Sequence, residues 1–589
     1  MKRKHFIIIS LVFIVLSLIL FGYYYVQKST KYRQIAGVQY YNSEDISNLA
    51  VLSKVWGYLK YYHPSVVEGN YNWDDELVKM LPKILKSTNK DERNKILSEW
   101  VTSLGEFKQD TLPAIRPDSV KMYPDLDWIN DRKELGKLST QLVKIKTAKR
   151  PYDQSHFVEF QKGIGNAVFL NEEAYPEMSY PNTSYRLLAL FRYWNIIQYY
   201  YPYKYLIREN WHNILTEFIP LFINAKNELE YKLTLLKLIA RIHDSHAFLF
   251  DRVIEKYKGD YIVPFYVSFL NGKPVITDTL IDIPKTNYPL KIGDIILKVN
   301  GKPVDKIISE QLPFISGSNL TAQLNKFSYE LMRTNAKSIN VTFMRGNDVF
   351  SKDLTCYPMN SPSFRFLAHK NKALYRLISK EKNIGYLYLG SSIGGTVPDF
   401  SNTKGLIIDL RCYPNGKKIK GYLNMHQLYK KPVRFAKFTS TDFLRPGLFK
   451  YSEEDYTDVF KNISSDYFSK TSFYKGKVII LVNEITQSHA EFMTMMYSCS
   501  PSATIIGSTT AGADGDVSLI SLPGNMQTMI TGLGVYYPDG REIQCVGIMP
   551  DIVVKPTIKG IRDGKDEVME KAIELIKKKE IMSSMTIGK

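Results

Sequence analysis

Cysteine is scarce: four in 589 residues, at 356, 412, 499 and 545, with no CxxC pair and no metal-ligand spacing. That excludes a disulfide framework and a cysteine-built zinc site, although one pairing stays open. Long runs of a single charge are missing as well. The formal charge of +19 is spread along the chain, with only short clusters such as KIKTAKR and KKKE. No nucleic-acid motif accompanies them, so the lysines read as a solvated surface and the chain is not a nucleic-acid protein. A hydrophobic share of 44% with 23% charged residues excludes disorder. At this length one core is not enough, and two to four domains are expected.

One long apolar run is present. FIIISLVFIVLSLILFGYYYV, residues 6 to 26, follows MKRKH and carries no charge. It is long enough to cross a bilayer as a helix, with the basic residues held on the cytoplasmic side. It ends in interfacial aromatics rather than in a small-residue cleavage site, and no lipobox cysteine follows. The expectation is a membrane anchor within residues 1–27, with the rest of the chain on the periplasmic or extracellular side, or secreted if the segment is cleaved.

The chain resembles itself. VWGYLKYYHP at 55 to 64 and YWNIIQYYYP at 193 to 202 align at an offset of 138, which also relates Trp73 to Trp211 and Pro82 to Pro220. A duplicated helical unit is therefore expected, at 45–135 and 183–250. The copies diverge at their ends: SLGEFKQD closes the first and RIHDSHAF the second, so Lys108 falls opposite His246. Taken alone, His246 reads equally as a buried core histidine and as a working base. His243 and His246 lack a third ligand at a convincing spacing.

IVPFYVSFL, KPVITDTL and GDIILKVNGKPV are strand-like, and Asn-Gly marks a tight hairpin. With a helix near 319–333 and the strand INVTFMRG, residues 258–357 resemble a PDZ domain, without a GLGF-like carboxylate loop. From 375 to 575, apolar runs at 384–390, 405–411, 477–483, 503–509 and 551–554 alternate with helical or loop stretches, as in a layered α/β domain. Ser488, Gly416 and the loop TTAGADGD fall beyond strand ends, where such sheets gather their functional groups. Ser488, in NEITQSHAEF, reads as the N-cap of a capping box with Glu491, or as a nucleophile at a helix N-terminus. GxSxG is absent, which weighs against an esterase. A serine needs a base, and His246, His489 and the lysines are the candidates. His489 is adjacent in sequence, so its side chain would point elsewhere. ADGD reads as a polar loop rather than a calcium site.

The order of helical region, HDSHAF, PDZ-like module, GLIIDLRCYPNG, TQSHAEF, TTAGADG and GIMPDIVV resembles the S41 family of serine peptidases over residues 45 to 575. That family includes tail-specific and tricorn-like proteases. The resemblance implies a multidomain α+β chain: duplicated helical unit, PDZ-like β domain and an α/β core of the ClpP/crotonase type. The AGADG stretch has no lysine where the tail-specific branch places its base. The doublet Ser245-His246 instead matches the Ser–His branch. The resemblance then implies Ser488 as nucleophile, His246 as general base and Ser245 orienting it. Gln544 stands where the branch has a glutamate, with Glu542 two residues upstream as a substitute. Backbone N–H groups of His489, Asn415 and Gly416 are the implied oxyanion donors. No cofactor or metal is implied; the partners are a polypeptide substrate and the membrane. Two other readings stay open: a catalytically inactive peptide-binding protein on the same fold, and an esterase.

Overall fold

The computed structural model describes residues 42–280, 288–360, 372–378, 383–422, 425–452 and 473–587. The apolar run 6–26 lies outside them; among the described residues no helix is long and apolar enough to cross a membrane.

Two helical triplets open the chain. The first is α1 (Ser43–Tyr62), α2 (Trp73–Leu85) and α3 (Lys90–Ser103); the second is α4 (Thr183–Tyr200), α5 (Trp211–Asn224) and α6 (Glu228–Ala240). Asparagine side chains cap four of these helices at the 138-residue offset: Asn72 and Asn210, Asn89 and Asn227. A tryptophan clasp recurs in each. Trp56 Nε1 donates to Trp73 O at 2.9 Å and Trp73 Nε1 returns a bond to Trp56 O at 3.0 Å. Trp194 and Trp211 do the same at 2.8 and 3.1 Å. Each buried indole thus places its ring in the core and satisfies its one donor. Helices α1 and α4 cross where Asn195 leaves no room for a Cβ on Gly57. Positions 57 and 195 are themselves offset mates, so the triplets face each other across a local pseudo-twofold axis. Accordingly α1 packs on α5, and α4 on α2.

A second module follows: an antiparallel sheet of β1 (Phe265–Leu270), β2 (Lys273–Thr279), β3 (Ile295–Val299), β4 (Ser338–Arg345) and β5 (Asp348–Thr355), ordered β5-β4-β3-β2-β1. Asn300 and Gly301 both take positive φ in the turn after β3, as the Asn-Gly pair dictates. Helix α7 (Val304–Gln311) follows that turn, and α8 (Leu320–Ser328) packs on β1.

The last unit is a six-stranded sheet, β6 (Tyr375–Leu377), β7 (Ile384–Tyr388), β8 (Gly405–Asp409), β9 (Lys477–Val482), β10 (Ala503–Gly507) and, at the far edge, Ile552–Val553. β6 is antiparallel to β7 and every other pairing is parallel. The central strands are buried on both faces, which is why they read as unbroken apolar runs. Along β9, Val478, Ile480 and Val482 share a core with α9 (His489–Ser498). Ile479 and Leu481 share one with Val568, Ala572 and Ile576 of α10 (Glu567–Ile587) on the opposite face. Between β10 and the edge strand runs a hairpin, β11 (Val517–Leu522) and β12 (Met526–Thr531). Its Ile520, Leu522, Met526 and Ile530 are buried in the core of the helical triplets rather than in that of the sheet. This hairpin joins the two units.

Candidate active site

β9 ends at Val482 and the chain turns into α9 through residues 483–488. Thr486 fixes that turn by donating to Leu410 O just beyond β8 (2.8 Å) and accepting from Asn483 N (3.0 Å). Ser488 then adopts φ 57°, ψ −123°, a region that costs an L-residue on the order of 1–3 kcal/mol. His243 and Cys545 also take positive φ, and they touch through Cys545 Sγ and His243 O; Cys545 N bonds Gly512 O of the loop held by Glu491. The N–H of Ser488 donates to Ala513 O (2.9 Å) and to Glu491 Oε2 (3.2 Å). Glu491 is fully buried and also accepts from Gly512 N (2.8 Å), Ala513 N (2.9 Å) and the Thr510 hydroxyl. Burial raises its carboxyl to about 7 despite these bonds. The glutamate of the expected capping box therefore ties the 510–513 loop to the helix start.

His246 comes from the loop after α6. Its Nδ1 lies 2.8 Å from Thr531 Oγ1, at the end of β12, and that hydroxyl lies 2.9 Å from Asp244 Oδ1. Asp244 also accepts from His246 N (3.0 Å), Thr531 N (2.6 Å) and Gln544 Nε2 (3.3 Å). Surrounded by donors, it takes the Thr531 proton, so Thr531 accepts from Nδ1–H and the imidazole lone pair sits on Nε2. Nε2 itself is buried with no hydrogen-bond partner. Burial lowers the histidine's pKa, with Asp244 and Asp516 pulling it up and Lys326 pushing it down. The ring is thereby held neutral with its basic nitrogen bare.

Asp244 and Thr531 were not among the expected site residues. The aspartate stands in HDSHAF two places before the histidine, and its carboxylate accepts the histidine's own N–H; that local signal was readable. Thr531, 285 positions from His246, left none.

Several expected placements differ. Ser245 does not orient the imidazole: its hydroxyl accepts from Ser318 N (2.8 Å) and donates to Ala511 O (3.2 Å), securing the loop. Glu542 does not stand in for the missing glutamate. Its carboxylate pairs with Lys121 Nζ at 2.5 Å and accepts from Tyr205 OH at 2.8 Å. Gln544 reaches Asp244 and not the ring. Asn415 is spent as an oxyanion donor, since its N–H goes to Leu389 O (2.8 Å) and its side chain to Ser391 O (3.0 Å). Among the described residues no acceptor takes the N–H of Gly416 or of His489. The His489 ring turns away to Tyr422 OH (3.2 Å) and Phe492. Asp514 is buried, with one oxygen on Gly515 N and its carboxyl pushed well up by burial and by Glu491.

The chain neighbours of Ser488 and His246 meet across the two units. Gln487 Nε2 bonds Ser245 O at 3.4 Å, one residue from each. The Ser488 hydroxyl nevertheless stands outside hydrogen-bond range of Nε2.

Residues 392–554 match the family model of peptidase family S41. A carboxy-terminal-processing protease of Bartonella bacilliformis is 25% identical over 306 residues, covering 51% of this chain and 62% of that protein, less than two thirds of its length. Over the matched residues the chain is similar to peptidase family S41. In shape it is similar to mature CPAF (TM-score 0.48, 15% identity, 67% of this chain and 97% of that one). It is also similar to the photosystem II D1 C-terminal processing protease (0.34, 14%, 65% and 98%) and to tricorn protease (0.33, 14%, 68% and 37%). The S41-matched stretch holds Ser488, Gly416, Thr531 and Gln544, while Asp244 and His246 lie outside it, in the loop after α6.

Proposed function

We propose that this chain is a serine peptidase that cleaves polypeptides through an acyl-enzyme on Ser488. The observation that carries the reading is the state of His246. Its Nδ1 is committed through Thr531 to Asp244, and its bare Nε2 lies on the side chain of a loop that touches Gln487. Nε2 takes the proton of Ser488 as Oγ attacks the scissile carbonyl. The backbone N–H groups of Gly416 and His489 receive the oxyanion, helped by the N-terminus of α9. The imidazolium, stabilised by Asp244 across the Thr531 hydroxyl, returns its proton to the leaving amine. Water then attacks the ester by the same route and frees Ser488. The open Ser488–Nε2 pair is a resting geometry that tightens around bound substrate, as catalytic hydrogen bonds commonly do.

Residues 258–357 act in this reading as a PDZ-like module presenting polypeptide to the site. The N-terminal run anchors the chain with the site on the extracytoplasmic side. A fluorophosphonate probe and an unfolded-protein substrate test the assignment. Labelling and cleavage by the full chain, both lost in Ser488→Ala, are expected; cleavage that survives the substitution rejects it.

A further inference from the structure

Lys326 is a cation next to the proposed base that the mechanism leaves unused. It stands on α8 of the second module, and its Nζ donates to Ser316 O (2.8 Å) and to Ala247 O (3.3 Å), the residue after His246. Both acceptors are neutral carbonyls. The same stretch grips the rest of the loop, where Ser316 Oγ donates to Asp244 O (2.8 Å) and Ser318 Oγ accepts from Ser245 N (2.9 Å), and it also reaches the 510–513 loop, where Asn319 Nδ2 donates to Thr510 O (3.1 Å). Charged groups facing Lys326 are Asp244 on the histidine loop, Lys258 and Glu330. Those facing His246 are Asp244, Lys326 and, ahead of β11, Asp516. Burial lowers the lysine to about 8, so it is charged at neutral pH.

Two carboxylates thus favour a protonated imidazole, which has no lone pair left for the serine proton. Burial opposes them, and so does one fixed cation. We propose that Lys326 is a positioning residue that ties the 244–247 loop, through Ala247 O, to Ser316 O of the second module and sets a positive charge beside His246 against Asp244 and Asp516. This rests on the reading of His246 as general base.

The test compares full-length Lys326→Gln, which keeps a donor and loses the charge, with Lys326→Arg, which keeps the charge. The His246 ring is titrated by NMR with labelled histidine, and the pH profile of kcat/KM is recorded on an unfolded substrate. In Lys326→Gln the His246 titration and the acid limb of the profile are expected to rise together by about 0.5–1 pH unit; in Lys326→Arg both stay in place. An unmoved titration in the glutamine variant overturns the proposal, as does an equal shift in both variants. A titration that moves while Ser488→Ala still cleaves leaves the lysine's action intact and rejects the serine mechanism instead.

Discussion

The two helical triplets share a clasp, caps and an axis, yet only the second leads into the loop that carries His246. After α3 the chain stays local: Lys149 N bonds Lys108 O, Asp110 N bonds Thr147 O, and Lys108 itself is exposed. After α6 the matching stretch pairs with the distant β11–β12 hairpin, Leu249 against Thr528, and the residue opposite Lys108 is the buried His246. The helices are nearly interchangeable; the strand that receives the terminal loop is not. The two copies differ in what the terminal loop meets more than in the helices that carry it.

The sharpest way to break this contrast is to disarm the second loop. His246→Gln is expected to lower kcat by about 10²–10⁴-fold on an unfolded substrate while leaving the far-UV spectrum unchanged. Next comes the relay. Thr531→Val removes the hydroxyl between ring and carboxylate and should cost about 10–100-fold in kcat, whereas Glu542→Gln should stay within about threefold. Steady-state kinetics of the pair decides which acid serves the histidine, and a larger loss in Glu542→Gln would overturn the relay described here.

The remaining tests concern stability. Arg192 of the second triplet is fully buried and pairs with Asp74 of the first at 2.5 Å and with Glu172 at 2.7 Å, while Lys60 meets Glu172 at 2.6 Å. Arg192→Met strands buried carboxylates and is expected to cost about 3–5 kcal/mol in urea unfolding. The smallest effect separates the triplets by pH. His63, fully buried against Phe107 with neither ring nitrogen bonded, occupies the position that Tyr201 holds in the second copy. Burial and Arg150 lower its pKa to about 4. The unfolded chain therefore binds this proton first as pH falls below about 6.5, and stability drops until about pH 4, by up to about 3 kcal/mol. His63→Leu should flatten that part of the melting curve against pH; an unchanged slope would assign the acid sensitivity elsewhere.

Much of this was legible in the sequence for physical reasons. Strands buried on both faces must be continuous apolar runs, so β7, β8, β9 and β10 announced themselves. Asn300-Gly301 required its turn, and the tryptophan offset marked the duplicated clasp. The placement of Ser488 at a strand–helix junction followed from the same local chemistry. What escaped depended on contacts across units. Thr531 matters only because its hairpin is buried among helices, and Asn415 fails as a donor only because Leu389 O happens to claim its N–H. Gln544 occupied the place the family resemblance assigns to an acid, which drew attention from Asp244, already beside the histidine.

The β11–β12 hairpin has a consequence in time. In the proposed mechanism the nucleophile and the relay threonine belong to the C-terminal unit and the base and acid to the loop after the helical one, with the hairpin as the seam between them. As a chain emerges, His246 is made 242 residues before Ser488, and Thr531, the partner of its Nδ1, comes later still. Competence to cut, in the proposed mechanism, depends on that hairpin being docked among the helices.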